Sequence, residues 1–119
     1  MPPPSSLKIK TSSVTRLIKE EQTYHTELDM HVSKLNRMEA ENADFYEIKT
    51  QKAVINDTKQ MIPTLREKLE NAVEALRLEL ELHDDETDET KAAKLAIEEG
   101  EKVYEGRPSD GSALFTDVS

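Results

Sequence analysis

Five branched apolar residues recur at a strict seven-residue interval: Ile48, Ile55, Ile62, Leu69 and Leu76. An α-helix turns once every 3.6 residues, so a sustained period of seven holds one stripe against a neighbour only when two helices wind around each other left-handedly. The row covers about 42 Å at 1.5 Å per residue. Val54, Leu65, Ala72, Val73 and Leu80 flank it and widen the stripe. Pro63 falls inside the row. An interior proline deletes one backbone hydrogen bond and bends its helix, yet the apolar register continues unchanged beyond it. The expectation is a helix over 44–82 that is kinked at Pro63 rather than broken there. Its start is marked by Asp44-Phe45-Tyr46-Glu47. Asp44 as N-cap with Glu47 three residues on is a capping-box arrangement, with aspartate in place of the usual serine or threonine.

Such a stripe needs a partner helix, and the preceding segment supplies one. Steps of three and four from Val14 reach Leu17, Glu21, Tyr24, Leu28, His31, Leu35 and Met38, and six of these eight positions are apolar or aromatic. Ile18, His25 and Val32 lie beside the row, which marks a helix with one core-facing side. One heptad back stands Leu7, so the helix is predicted over 7–38 with Ser6 as N-cap. The gap 39–43 is short, which makes the two helices antiparallel neighbours. The run His83-Asp84-Asp85-Glu86-Thr87-Asp88-Glu89 is too polar to pack and reads as a solvated connection. Thr87 or Asp88 can then cap a third helix over 87–105, running through Lys91, Ala92, Leu95, Ala96, Gly100 and Val103. Gly100 should weaken it by roughly 1 kcal/mol, and Gly106 and Pro108 stop it. The fold class is therefore all-α: an elongated antiparallel three-helix bundle over 7–105 with left-handed coiled-coil-like packing, flanked by disordered segments at 1–6 and 106–119.

Composition supports a thin core. Leu, Ile, Val and Phe make up 26 of the 119 residues, just above the level at which a highly charged chain stays disordered. Aromatic residues are few and Trp is absent, which argues against a sheet-rich fold. There is no cysteine, which excludes disulfides, thiolate catalysis and zinc–sulfur sites. No apolar run approaches the roughly 18 residues that span a bilayer, and Met1-Pro2-Pro3-Pro4-Ser5-Ser6 has nothing of a signal peptide. A cytoplasmic protein is the default. The net charge of −9 divides into +2 over residues 7–38, −4 over 39–82 and −7 over 83–119. A chain so acidic has no global attraction for nucleic acid, while its mildly basic first third suits an acidic protein surface.

Catalytic chemistry is not visible. A nucleophile and its base need a pocket, and a narrow helical seam offers little room for one. Gly100, Gly106 and Gly111 lie in the last fifth of the chain and form no phosphate-cradling loop before a helix. His25 and His31 are six residues apart and face different directions on a helix, so no metal spacing exists; no cofactor is expected and the protein is read as non-enzymatic. Two polar residues fall on the apolar stripe. His31 reads as a partly exposed or satisfied seam residue, or as a pH-sensitive or partner-contacting one. Glu21 would be costly to bury unpaired, so either the seam is open there or Glu21 bonds a neighbouring helix.

Val14-Thr15-Arg16-Leu17-Ile18-Lys19-Glu20-Glu21 followed by Tyr24 and Glu27 resembles the first helix of the tubulin-binding cofactor A family. Asp44-Phe45-Tyr46-Glu47-Ile48-Lys49-Thr50-Gln51, then Val54, Asp57, Thr58 and Met61-Ile62-Pro63-Thr64-Leu65, is similar to the start and bend of its second helix. The resemblance spans about residues 7–105. It implies a three-helix rod, not an ATPase, that holds quasi-native β-tubulin monomers after chaperonin release and before assembly of the α/β heterodimer. It further implies a cytoplasmic, cytoskeleton-associated setting, other tubulin-folding cofactors as further partners, no membrane or nucleic-acid partner, and either a monomer or a homodimer. In the family the helical faces rather than the loops make the contact. Joined to the basic first third and the Lys49-Lys52-Lys59 stripe, this points to Arg16, Lys19, Tyr24, Glu27, Tyr46, Lys49, Lys52 and Lys59 as partner-binding residues set against an acidic client. Tyr24 and Tyr46 suit seam packing as well as partner contact. The rival reading is a generic coiled-coil adaptor or assembly subunit, which would use an exposed apolar stripe to join other helices. A small enzyme would need convergent polar groups in a pocket, and no segment suggests them.

Overall fold

The computed structural model describes residues 5–106. Of the ends expected to be disordered, residues 1–4 and 107–119 lie outside the described residues. The described residues form three helices: α1 (Ser6–Ala40), α2 (Phe45–Leu80) and α3 (Asp88–Glu101), the last running into a π-helical turn at Lys102–Gly106. No strand occurs among the described residues.

Each helix begins on a side-chain cap, with one shift from expectation. The N-cap of α1 is Ser5, not Ser6: Ser5 is extended at φ −68°, ψ 159° and its Oγ accepts from the Lys8 amide at 3.1 Å. Ser6 is already helical, and its hydroxyl donates instead to Glu79 of α2 at 3.1 Å. Asp44 caps α2 by accepting from the Tyr46 amide at 3.1 Å. The reciprocal capping box forms not there but at α3, where Thr87 accepts from the Thr90 amide and the Thr90 hydroxyl accepts from the Thr87 amide.

The turn between α1 and α2 closes α1 with a Schellman motif. The Ala43 amide donates to the Met38 carbonyl at 2.8 Å and the Asn42 amide to Glu39 at 3.2 Å. This geometry needs a left-handed residue, and Asn42 takes it at φ 57°; asparagine tolerates that region better than most non-glycine residues. Four residues thus reverse the chain. Cross-helix bonds show the antiparallel register: Ser6 meets Glu79, Glu21 meets Arg66 and the His31 carbonyl meets Gln51.

α2 runs without interruption through Pro63, and Ile55, Ile62, Leu69 and Leu76 of the seven-residue row are all buried. α3 lies along only one half of this hairpin, parallel to α1: Ser5 donates to Glu89 at its start, and Gly100 near its end packs on Val14, Leu69 and Val73. Arg77 of α2 pairs with Glu101. The inward face of α3 is Thr90, Ala93, Ala96 and Gly100, continued by Val103. Leu95 and Ala92 point outward, and Leu95 is 56% exposed. Small residues let α3 approach the hairpin closely, and that sets the helix phase in place of the larger leucine. The molecule measures 62 × 36 × 18 Å.

Candidate functional site

Seen from its residues, the rod offers long outer faces and, at the hairpin tip, an open groove. Arg16, Lys19 and Glu27 are exposed on α1. At about 100° per residue they fall within roughly 80° of each other and share one outward face. Arg16 is 3.8 Å from Glu20, a solvent-exposed pair one turn on. Tyr24 is half-buried and packs against apolar residues on both sides of it along the seam, the first of the two placements open to it from the sequence. On α2, Tyr46, Lys49, Lys52 and Lys59 are all exposed, Tyr46 to 72%. Phe45, Lys52, Lys59 and Arg66 stand seven apart on a second row of α2. Phe45 is 78% exposed at one end of that row, while Arg66 at the other end turns inward to α1. The eight sequence-derived residues therefore fall into an α1 group and an α2 group, with Tyr24 drawn into the core between them.

At the hairpin tip Lys34 and Met38 of α1 and Tyr46, Thr50 and Gln51 of α2 border a surface groove of about 780 Å³. The groove is open along its length and acidic at its rim through Glu41, Asp44 and Glu47. Among the described residues no group of three His, Asp or Glu side chains could hold a metal ion, and no helix is long and apolar enough to cross a membrane.

Two charged networks hold the helices in register, and neither partner set is visible as a motif. Glu21 is fully buried; its Oε2 accepts from Arg66 Nε of α2 at 3.1 Å and lies 2.7 Å from His25 Nε2 one turn along α1. Of the two expectations for Glu21, bonding to a neighbouring helix is the one realised, and the seam is closed there. At the other end Glu79 receives Lys10 Nζ at 2.9 Å, Ser6 Oγ at 3.1 Å and His83 Nε2 at 3.3 Å. Lys10 first, then His83 and Ser6, favour the ionised carboxylate and lower its pKa from 4.5 to about 2. Sequence reasoning missed Arg66, Gln51, Thr58 and Glu79 as interior or cross-helix residues. The signal lay in spacing: Gln51 and Thr58 precede Leu65 at seven-residue steps, on the row that alternates with the isoleucines, and both are buried.

A family model described as tubulin binding cofactor A matches residues 2–97. Human tubulin-specific chaperone A is 36% identical over 94 residues, covering 77% of this chain and 87% of its own. The Saccharomyces cerevisiae tubulin-specific chaperone A is 35% identical over 107 residues, covering 87% and 98%. In three dimensions, the crystal structure of tubulin folding cofactor A from Arabidopsis thaliana superposes with a TM-score of 0.75 at 34% identity, covering 81% of this chain and 92% of that one. A structure described as a β-tubulin binding post-chaperonin cofactor gives 0.76 at 31% identity, covering 84% and 98%. A family model spanning the hairpin and most of α3, relatives alike over nearly their whole length, and an independent agreement in backbone all converge: the chain belongs to the tubulin binding cofactor A family.

Proposed function

We propose that this protein is a non-enzymatic, cytoplasmic tubulin-folding cofactor that captures β-tubulin monomers after chaperonin release and holds them until the α/β heterodimer assembles. The observation that carries the reading is the likeness, over 84% of this chain and 98% of the other, to a protein described as a β-tubulin binding post-chaperonin cofactor. The form of the molecule suits the task. A preformed rod loses little conformational freedom on binding, and charged outer faces favour fast, reversible encounter over tight burial.

Arg16, Lys19 and Glu27 on α1, Tyr46, Lys49, Lys52 and Lys59 on α2, and the edge of Tyr24 between them make the contact in this reading. The three lysines are exposed along one helix, and they face an acidic client. Replacing Lys49, Lys52 and Lys59 together by Glu should weaken β-tubulin binding at least about tenfold at low salt and flatten its salt dependence. Unchanged affinity and salt dependence in that variant would remove the lysines from the contact. A coiled-coil adaptor, the competing reading, would self-associate or be partly unfolded alone, whereas a self-sufficient bundle melts in one cooperative step as a small species.

A further inference from the structure

The apolar seam is divided. One cluster holds ten buried residues, with Leu7, Val14, Leu69 and Val73 of the hairpin closed over by Ala93 and Ala96 of α3. The second cluster holds three, Leu28, Ile55 and Ile62, and α3 does not reach it. Between the two sits the buried Glu21–Arg66 pair, and one Arg66 amino group, Nη2, has no hydrogen-bond partner. Beyond that pair the row that should complete the two-helix seam is polar. Gln51 and Thr58 are 6% and 8% exposed at positions where a coiled coil places apolar side chains. Gln51 crosses the interface through one bond, its Nε2 donating to the His31 carbonyl at 2.9 Å, while the Thr58 hydroxyl bonds only its own helix, to Val54 at 2.9 Å. A segment with few buried apolar contacts and no third helix opens locally more readily than the remainder of its fold.

We propose that residues 24–62 open as a unit while the three-helix half stays closed, and that the strip uncovered, Leu28, Val32, Leu35, Ile48, Ile55 and Ile62, grips an apolar surface of an incompletely folded client. Glu21 and Arg66 set the limit of opening, because parting them would strand two buried charges. Charged outer faces make the encounter and the opened strip makes the hold. The client part rests on the β-tubulin reading above; the opening does not.

Hydrogen–deuterium exchange on the whole chain tests the opening. Relative to their intrinsic rates, amides of 24–38 and 48–62 should exchange at least about tenfold faster than those of 7–20 and 66–78. Thr58→Val puts a methyl in place of the hydroxyl and breaks no bond across the interface; it should narrow the gap and lower β-tubulin capture several-fold. Ile55→Ala should speed exchange in residues 24–62 alone. Equal protection in the two halves of the wild-type chain, or an Ile55→Ala effect spread over both, overturns the opening. A narrowed gap with capture unchanged overturns the grip. A wild-type chain that captures no β-tubulin refutes the chaperone reading by itself, and the exchange experiment still decides the opening.

Discussion

Gly100 shows two effects of opposite sign meeting at one atom. A methyl group there would improve helix propensity by about 1 kcal/mol. The same methyl would stand 2.7 Å from Val73 Cγ2, closer than carbon atoms tolerate, and Val73 is fully buried. Overpacking of that kind costs about 1–3 kcal/mol, so the clash wins. Gly100→Ala should lower the melting temperature by a few degrees, measured by circular dichroism; a higher melting temperature would return Gly100 to the role of a simple helix weakener. Glu79 makes a pH-dependent prediction. Its carboxyl is ordinary when unfolded, near 4.5, and lowered to about 2 when folded. The stabilisation is therefore complete above about pH 4.5 and lost as pH falls towards 2. Glu79→Gln should be less stable than wild type at neutral pH and converge on it near pH 2, in urea midpoints taken across that range. A constant difference down to pH 2 would show that the charge on Glu79 is not what holds Lys10, Ser6 and His83.

Helices were readable where period dominates and unreadable where pairing does. The isoleucine–leucine row announces α2 by itself, and α2 continues past Pro63 because Ile62, Leu65 and Leu69 remain buried on either side of it. Tertiary packing there outweighs the lost backbone bond. Pro63 is exposed, so Pro63→Ala should restore that bond without touching the core and raise stability by about 1–3 kcal/mol, read from chemical denaturation; a destabilised variant would mean that α2 needs the proline geometry to meet α1. The partner of Glu21 was not legible, since Arg66 lies 45 positions away and meets it only once the Asn42 turn has set the register. Gln51 and Thr58 escaped because a search for apolar residues passes over polar ones. In α3 apolar size is no guide to the inward face: Leu95 faces solvent, while glycine and alanine face the hairpin.

At the scale of the whole molecule, the all-α rod and its charged faces follow from pattern, and the family from ordered segments in α1 and α2. The contact surface follows from neither. Surface residues of a rod obey no period of their own, so exposed lysines that meet a client look the same in sequence as lysines that meet water, and only Tyr24 was separated from the group by its packing. The expected outcome is a division of labour along the rod. The three-helix half gives stability and adds Arg16 and Lys19 to the contact, and the two-helix half, with Phe45, Tyr46 and the lysine row on its outside, supplies the remainder of the surface that meets the client. The most direct test is co-purification at low salt of the full chain with chaperonin-released β-tubulin monomers and, separately, with assembled α/β heterodimer. Capture of the monomer without the heterodimer is the predicted result; no capture of β-tubulin, or equal capture of both, would contradict it.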